Sequence, residues 1–250
     1  AVAILEHTQA IDKNSIEALY SVAPGENVVQ MAEDIKKGEA LVKKGHKIRP
    51  QDIGAFAGIG IDRVAVYVKP KVAVITTGNE IVDIKANAKF GQVRDINSYY
   101  LSSLVNSDGG VPIKKGIIKD DYSELRRTVE ESLSEADVVV LSGGSSVGAR
   151  DLTAKVIKDI GKPGVLVHGV SIKPGKPTII GVVNNKPVFG LPGHPVAVGV
   201  SYGLFVKRVI RSLIGIVLKD VEFSDKIVKA RLLKNIASAS GREDYIRVEI

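Results

Sequence analysis

Short apolar runs alternate with longer amphipathic stretches from residue 71 to residue 214, and this alternation most constrains what the chain can fold into. Residues 71–76, 111–118, 137–141, 165–168, 178–183 and 187–189 read as strands. Residues 98–106, 122–133, 152–160 and 196–214 read as helices. Asn97 is the expected cap of the first helix, with Gly109 after its end. Asp121 followed by Glu124 marks a capping box at the start of the second. Strands that alternate with helices predict an α/β protein, with a central three-layer α/β/α domain whose mostly parallel sheet is covered on both faces.

The flanks read differently. Residues 1–6 and 15–22 read as strands, although 16–20 also fits a helix, and Pro24-Gly25 marks a turn. A short helix over 51–59 and a strand over 64–68 follow, and Pro70 closes this stretch. After Gly215, residues 228–233 and 245–250 alternate like antiparallel strands. The 250 residues exceed the usual size of one domain, so several units are expected. The abrupt opening suggests a start inside a domain, and the end leaves no room to complete one.

Composition excludes several classes. An apolar fraction of 44% with 25% charged residues is that of a globular chain, not a disordered or fibrous one. The absence of cysteine rules out disulfides, a thiolate nucleophile and a cysteine metal site, and fits a reducing cytoplasm. The longest apolar stretch, 196–206, is well short of the roughly 20 residues that span a bilayer. No signal peptide is visible. A net charge of +7 suits an anionic guest, but the lysines are dispersed and no aromatics interleave with them, which argues against nucleic acid.

Three loops carry candidate chemistry. Ser142-Gly143-Gly144-Ser145-Ser146-Val147-Gly148, followed by Asp151, lies between a strand and a helix. Glycines there let a ligand approach the backbone, whose N–H groups bind anions, and the serines add donors. The plainer alternative is a connector in which Asp151 caps the next helix. Lys173-Pro174-Gly175-Lys176-Pro177-Thr178 holds two lysines on a proline-stiffened turn, a pattern suited to an oxyanion or phosphate. Gly190-Leu191-Pro192-Gly193-His194-Pro195 precedes the long helix, with Pro195 as its expected first residue. The three loops are expected to meet at one edge of one sheet. Glu80 follows the first strand, Asp95 precedes Asn97, and Asp120 ends the second strand. Asp95 and Asp120 also read as turn or capping residues; gathered at the sheet edge, such carboxylates could hold Mg²⁺.

Together these motifs resemble the molybdopterin molybdenumtransferase family, which includes MoeA and the E domain of gephyrin. The resemblance runs through Pro24 to Asn27, Glu33 to Ile35, Thr77 to Glu80, Ser142 to Asp151, Lys173 to Pro177 and Gly190 to Pro195, and the family's final β domain begins near Ser240-Gly241-Arg242. It implies four parts: residues 1–22 end an inserted β-rich domain, 23–70 form a linker and dimerisation domain, 71–216 form a MogA-like molybdopterin-binding domain, and 217–250 begin a truncated C-terminal β domain. It implies a homodimer with its active sites between subunits. The activity implied is insertion of molybdate into adenylylated molybdopterin with Mg²⁺-dependent release of AMP, and a MogA-type adenylyltransferase is a candidate partner. No nucleic acid or membrane is expected among the partners.

By motif position, Asp34, Glu80, Asp120 and Asp151 match catalytic positions. Lys173, Lys176, Pro192 and Pro195 match molybdate or phosphate positions. Gly143, Gly144, Ser145, Ser146 and Gly148 would hold the pterin. Glu80, Asp120 and Asp151 are the candidate Mg²⁺ ligands, and Asp34 would reach the partner's site. The chain departs from the family pattern at Val29, Gly169, His194 and Ala197, where Arg, a basic residue, Asn and Ser are common. The rival readings are a MogA-like molybdopterin adenylyltransferase and a non-catalytic, gephyrin-like scaffold.

Overall fold

The computed structural model describes residues 1–143, 147–216, 229–231 and 233–248, with the backbone alone over 147–151. Two compact units are present: Ala1–Lys43 with Ile48–Asp62, and Lys44–Lys47 with Arg63–Ile250.

In the first unit, β1 (Thr8–Ala10) and β2 (Ile16–Ala18) form an antiparallel hairpin with Gln9 opposite Glu17. Asp12 Oδ1 accepts from Asn14 N at 2.7 Å and shapes its turn. The strand expected over 1–6 does not form. Leu5–His7 make a 3₁₀ turn instead, and Val2 N donates to Glu26 O, so this stretch has no ladder to join. The second strand stops at Ala18, as its three-residue partner ends there. The short helix α1 (Pro50–Gly58) has its proline in the first turn, where a missing N–H costs nothing. Asp52 Oδ2 accepts from Arg49 N at 2.8 Å, and Phe56 is buried on the inner side.

The second unit holds a six-stranded sheet. Its elements in chain order are β3 (Lys71–Thr77), β4 (Ile81–Val82), β5 (Val93–Arg94), α2 (Asn97–Ser107), β6 (Val111–Ile118), α3 (Tyr122–Glu135), β7 (Val138–Gly143), α4 (Val147–Ile160), β8 (Pro163–His168), β9 (Ile172–Lys173), β10 (Ile179–Val183), β11 (Lys186–Leu191), α5 (Pro195–Ser201), a π-helical turn Tyr202–Val206, α6 (Lys207–Leu213) and β12 (Glu243–Asp244). The sheet order is β6-β3-β7-β11-β10-β8. Only β10 runs against the rest, joined to β11 by Asn184 and Asn185, both at positive φ as a tight hairpin requires.

Both faces of the sheet are covered, which is why its central strands read as unbroken apolar runs. On β3, Ala73 and Ile75 face the layer of α3 and α4, where they meet Leu125, Val129, Val156 and Ile157. Val72 and Val74 face the other layer, where Leu101, Val105, Val198, Tyr202, Val206 and Ile210 pack. β7 divides in the same way, with Val139 and Leu141 on one face and Val138 and Val140 on the other. Each buried Val, Leu or Ile side chain among them contributes about 1.5–3 kcal/mol of transfer free energy.

Several local expectations are corrected. Residues 64–68 form no strand, and none of the described strands pairs with them. Asn97 does not cap α2. Asp95 Oδ1 does that work, accepting from Ser98 N at 3.0 Å. α4 begins at Val147, so Gly148 and Asp151 belong to a helix rather than to a loop, and Asp151 is not its cap. The helix expected over 196–214 is interrupted by the π turn, which leaves Tyr202, Val206 and Ile210 all facing the sheet. At the end of the chain, 229–231, 233 and 245–248 form no strands, and residues 228, 232, 249 and 250 lie outside the described set. The tail pairs slightly earlier, as β12 parallel to β9.

Candidate functional site

β3 leads through α2 to β6 on one side of it, whereas β7 lies on its other side. The direction of winding therefore reverses between β3 and β7, and ligands of open α/β sheets bind beyond the carboxyl ends of strands at such a point. The ends of β3, β6, β7 and β11 deliver Thr77, Ile118, Gly143 and Leu191 to one edge. β10 runs the other way with Ile179 opposite Gly190, so the turn over 173–178 reaches the same edge. Gly143, Pro177 and Pro192, one from each of the three loops, line one small cavity there together with Thr77 and Thr153.

Gly143 sits at φ +142°, and a Cβ at that position would overlap the Thr77 carbonyl oxygen. Only glycine lets β3 and β7 approach this closely at their ends. In the second loop Thr178 Oγ1 donates to Gly175 O at 2.7 Å, and it lies 2.7 Å from Ser201 Oγ. Lys173 and Lys176 are exposed on this braced turn. β12 sets Asp244 beside Lys173, and Arg242 Nε donates to Asp244 Oδ1 at 2.9 Å. Ser238 first, then Arg242 and Lys173, hold the Asp244 carboxyl below the ordinary range. In the third loop Pro192 O accepts from Ser142 Oγ at 3.2 Å, and Pro195 starts α5.

Residues 73–212, which run from β3 into α6, match the family model described as "Probable molybdopterin binding domain". Residues 1–60 match the model of the MoeA N-terminal region, domains I and II. The chain belongs to the molybdopterin-binding family. A molybdopterin biosynthesis protein of Methanocaldococcus jannaschii is 36% identical over 258 residues, covering 100% of this chain and 61% of that one. A molybdopterin molybdenumtransferase of a Nostoc species is 32% identical over 246 residues, covering 97% and 56%. This chain thus spans little more than half the length of these relatives. Two solved MoeA proteins from Pyrococcus horikoshii superpose with TM-scores of 0.72 and 0.66, at 41% and 33% identity, over 84% and 86% of this chain and 52% and 51% of theirs.

In the second unit the carboxylates Glu80, Asp95 and Asp120 play two different parts. Asp95 is structural: its Oδ1 accepts from Thr76 Oγ1 at 3.2 Å and from Ser98 N. Glu80 and Asp120 are neighbours beyond β3 and β6. Partial burial first, and then the Glu80 charge, raise the Asp120 carboxyl above the ordinary range, against an opposing hydrogen bond from the backbone near Asn79. Asp120 N donates to Asn79 Oδ1 at 3.3 Å, while Asp120 Oδ1 is buried with no partner. Two adjacent carboxylates, one with an unused buried oxygen, suit a proton or a hard cation that binds through one or two carboxylates. Among the described residues no three His, Asp or Glu are grouped so that they could hold a metal ion, and the third expected ligand, Asp151, has a side chain outside the described set. Gly144, Ser145 and Ser146 also lie outside it. Asp34 is exposed in the first unit. No helix among the described residues is long and apolar enough to cross a membrane.

Sequence reasoning missed the bracing of this edge. Asn97 Nδ2 donates to Ser142 Oγ at 2.9 Å and to Gly193 O at 2.7 Å. Its short polar side chain at a strand-to-helix junction looks like a cap in sequence, and both partners lie far along the chain.

Proposed function

We propose that the chain is part of a molybdopterin molybdenumtransferase, which inserts molybdate into adenylylated molybdopterin and releases AMP. The observation that carries this reading is the meeting of Gly143, Pro177 and Pro192, with the Glu80–Asp120 pair, at one sheet edge, in a chain of the molybdopterin-binding family.

Gly143, Gly144, Ser145, Ser146 and Gly148 would hold the pterin and its phosphate through backbone N–H groups and hydroxyls. Lys173 and Lys176, with Pro192 and Pro195 shaping the facing wall, would draw in the molybdate dianion or a phosphate. Glu80 and Asp120, with Asp151, would hold Mg²⁺, and the unpartnered Asp120 oxygen supports that fit. Magnesium bound there would neutralise charge on the phosphate being cut. Water would add across the bond between the adenylyl phosphorus and the bridging oxygen and AMP would leave; the two dithiolene thiols would give their protons to one oxide of the molybdate, which leaves as water as both sulfurs bind the metal. Asp34 would act from the partner subunit of a homodimer. The four-part division at residues 22, 70 and 216 belongs to the same reading, as do a cytoplasmic setting and a MogA-type adenylyltransferase as the source of the substrate.

The test combines the full chain with adenylylated molybdopterin, Mg²⁺ and molybdate, and follows AMP release and metal incorporation. AMP release that requires both molybdate and Mg²⁺ is the expected result. Formation of adenylylated molybdopterin from ATP would point to the sister adenylyltransferase. No turnover, with retained binding of another protein, would point to a scaffold. Either outcome refutes the proposal.

A further inference from the structure

We propose that Asn97 is a positioning residue that sets the spacing between the end of β7 and the loop after β11 at the candidate site. This inference rests on the proposed function for its kinetic arm only.

One nitrogen serves two loops: Asn97 Nδ2 donates to Ser142 Oγ at 2.9 Å and to Gly193 O at 2.7 Å. Ser142 Oγ in turn donates to Pro192 O at 3.2 Å, which closes a triangle from the start of α2 to the ends of β7 and β11. Asn97 is 7% exposed and Ser142 1%, so water cannot easily replace these bonds. The residue type follows from the geometry. Two acceptors on separate loops need two N–H groups on one atom, which a primary amide provides and an aspartate of the same shape does not.

The other end of the same side chain has no stabilising role. Asn97 Oδ1 is buried and has no hydrogen-bond partner. Buried polar groups are normally paired, and an orphan acceptor weakens the fold. A core selected for stability alone would not keep this amide. Holding the end of β7 and the loop after β11 in register accounts for an amide whose oxygen goes unpaired. Asp95, two residues earlier, anchors the same junction to the end of β3 through Thr76, so α2 enters the edge from a fixed point.

The test uses Asn97→Asp, with Ser142→Ala as a second variant that cuts the same triangle from the other side. Hydrogen exchange is measured on peptides covering residues 138–143 and 187–195, with α3 as the internal control. Both variants are expected to speed exchange in the two edge segments together and to leave α3 unchanged. In the AMP-release assay, KM for adenylylated molybdopterin is expected to rise about tenfold or more, as loss of buried hydrogen bonds implies, with kcat changed much less. Unchanged exchange at both loops, or exchange that quickens equally across α3, would overturn the proposal. So would a fall in kcat at constant KM. If the parent chain releases no AMP, the functional reading fails, and the exchange measurement still decides whether the brace exists.

Discussion

Gly143→Ala is the sharpest probe of the sheet edge. Two costs add. An alanine must adopt a backbone geometry at φ +142° that side chains rarely tolerate, which costs about 1–3 kcal/mol. Its Cβ would also overlap the Thr77 carbonyl oxygen and crowd Thr77 Oγ1. The ends of β3 and β7 would then have to part, and overpacking of this kind costs about 1–3 kcal/mol more. The sum is about 2–6 kcal/mol, and a chain of this size loses about 2–4 °C of Tm per kcal/mol, so Tm should fall by about 4–24 °C. The assay is thermal unfolding followed by circular dichroism. Gly203→Ala is the control, because a Cβ there meets nothing within 4 Å, and removing a helical glycine gains about 0.5–1 kcal/mol. A Gly143→Ala protein that melts within about 2 °C of its parent would refute the reasoning, since even ~1 kcal/mol would exceed that shift.

Asp120→Asn should lower AMP release sharply yet raise Tm at neutral pH. The folded state holds the Asp120 proton more tightly than the unfolded chain does, so stability falls as pH rises from the ordinary carboxylate value of about 3.9 to the raised one. The variant lacks that loss, and its advantage in Tm should shrink toward pH 3; a constant advantage across pH would show that the effect is not titration. Asp108→Ala removes the acceptor that takes the Tyr202 hydroxyl at 3.0 Å and should cost about 1–3 kcal/mol by urea denaturation, because Tyr202 is buried at the start of the π turn. Lys173→Ala should weaken molybdate binding measured by calorimetry and flatten its salt dependence; unchanged affinity would remove this residue from the oxyanion site.

The central sheet was legible because its strands are buried on both faces. Val72 to Ile75 and Val138 to Leu141 are apolar without a break, a pattern that admits few structures other than a covered sheet. The first 70 residues were not legible in the same way. Val64, Val66 and Val68 alternate as a strand should, yet Val68 is 86% exposed and no ladder forms. In the first unit Leu5 is 81% and Met31 99% exposed, so apolar residues there do not report a core within that unit. Periodicity detects burial against a partner, and it fails where the unit itself supplies none. The π turn was hidden because Tyr202, Val206 and Ile210 keep a helical spacing through it. The Asn97 brace was hidden because its partners lie 45 and 96 residues away, a distance no local pattern spans.

The defects of the fold are unevenly spread, and their placement is informative. Among the described residues three buried side-chain atoms lack a hydrogen-bond partner: Asn97 Oδ1, Ser102 Oγ and Asp120 Oδ1. Two of the three belong to the carboxyl edge of the sheet. The same edge holds a glycine in a backbone region other residues avoid and a carboxyl pushed upward by burial and by Glu80. Each feature lowers stability, and a fold selected only to be stable would have removed them one at a time. Shared mutational noise would scatter such flaws over the unit, whereas they gather where winding reverses and ligands of this fold class bind. The two carboxylates repel each other, but that repulsion turns into attraction once a cation or a proton sits between them. The features that cost this edge stability are therefore the ones a bound cation or anion would relieve.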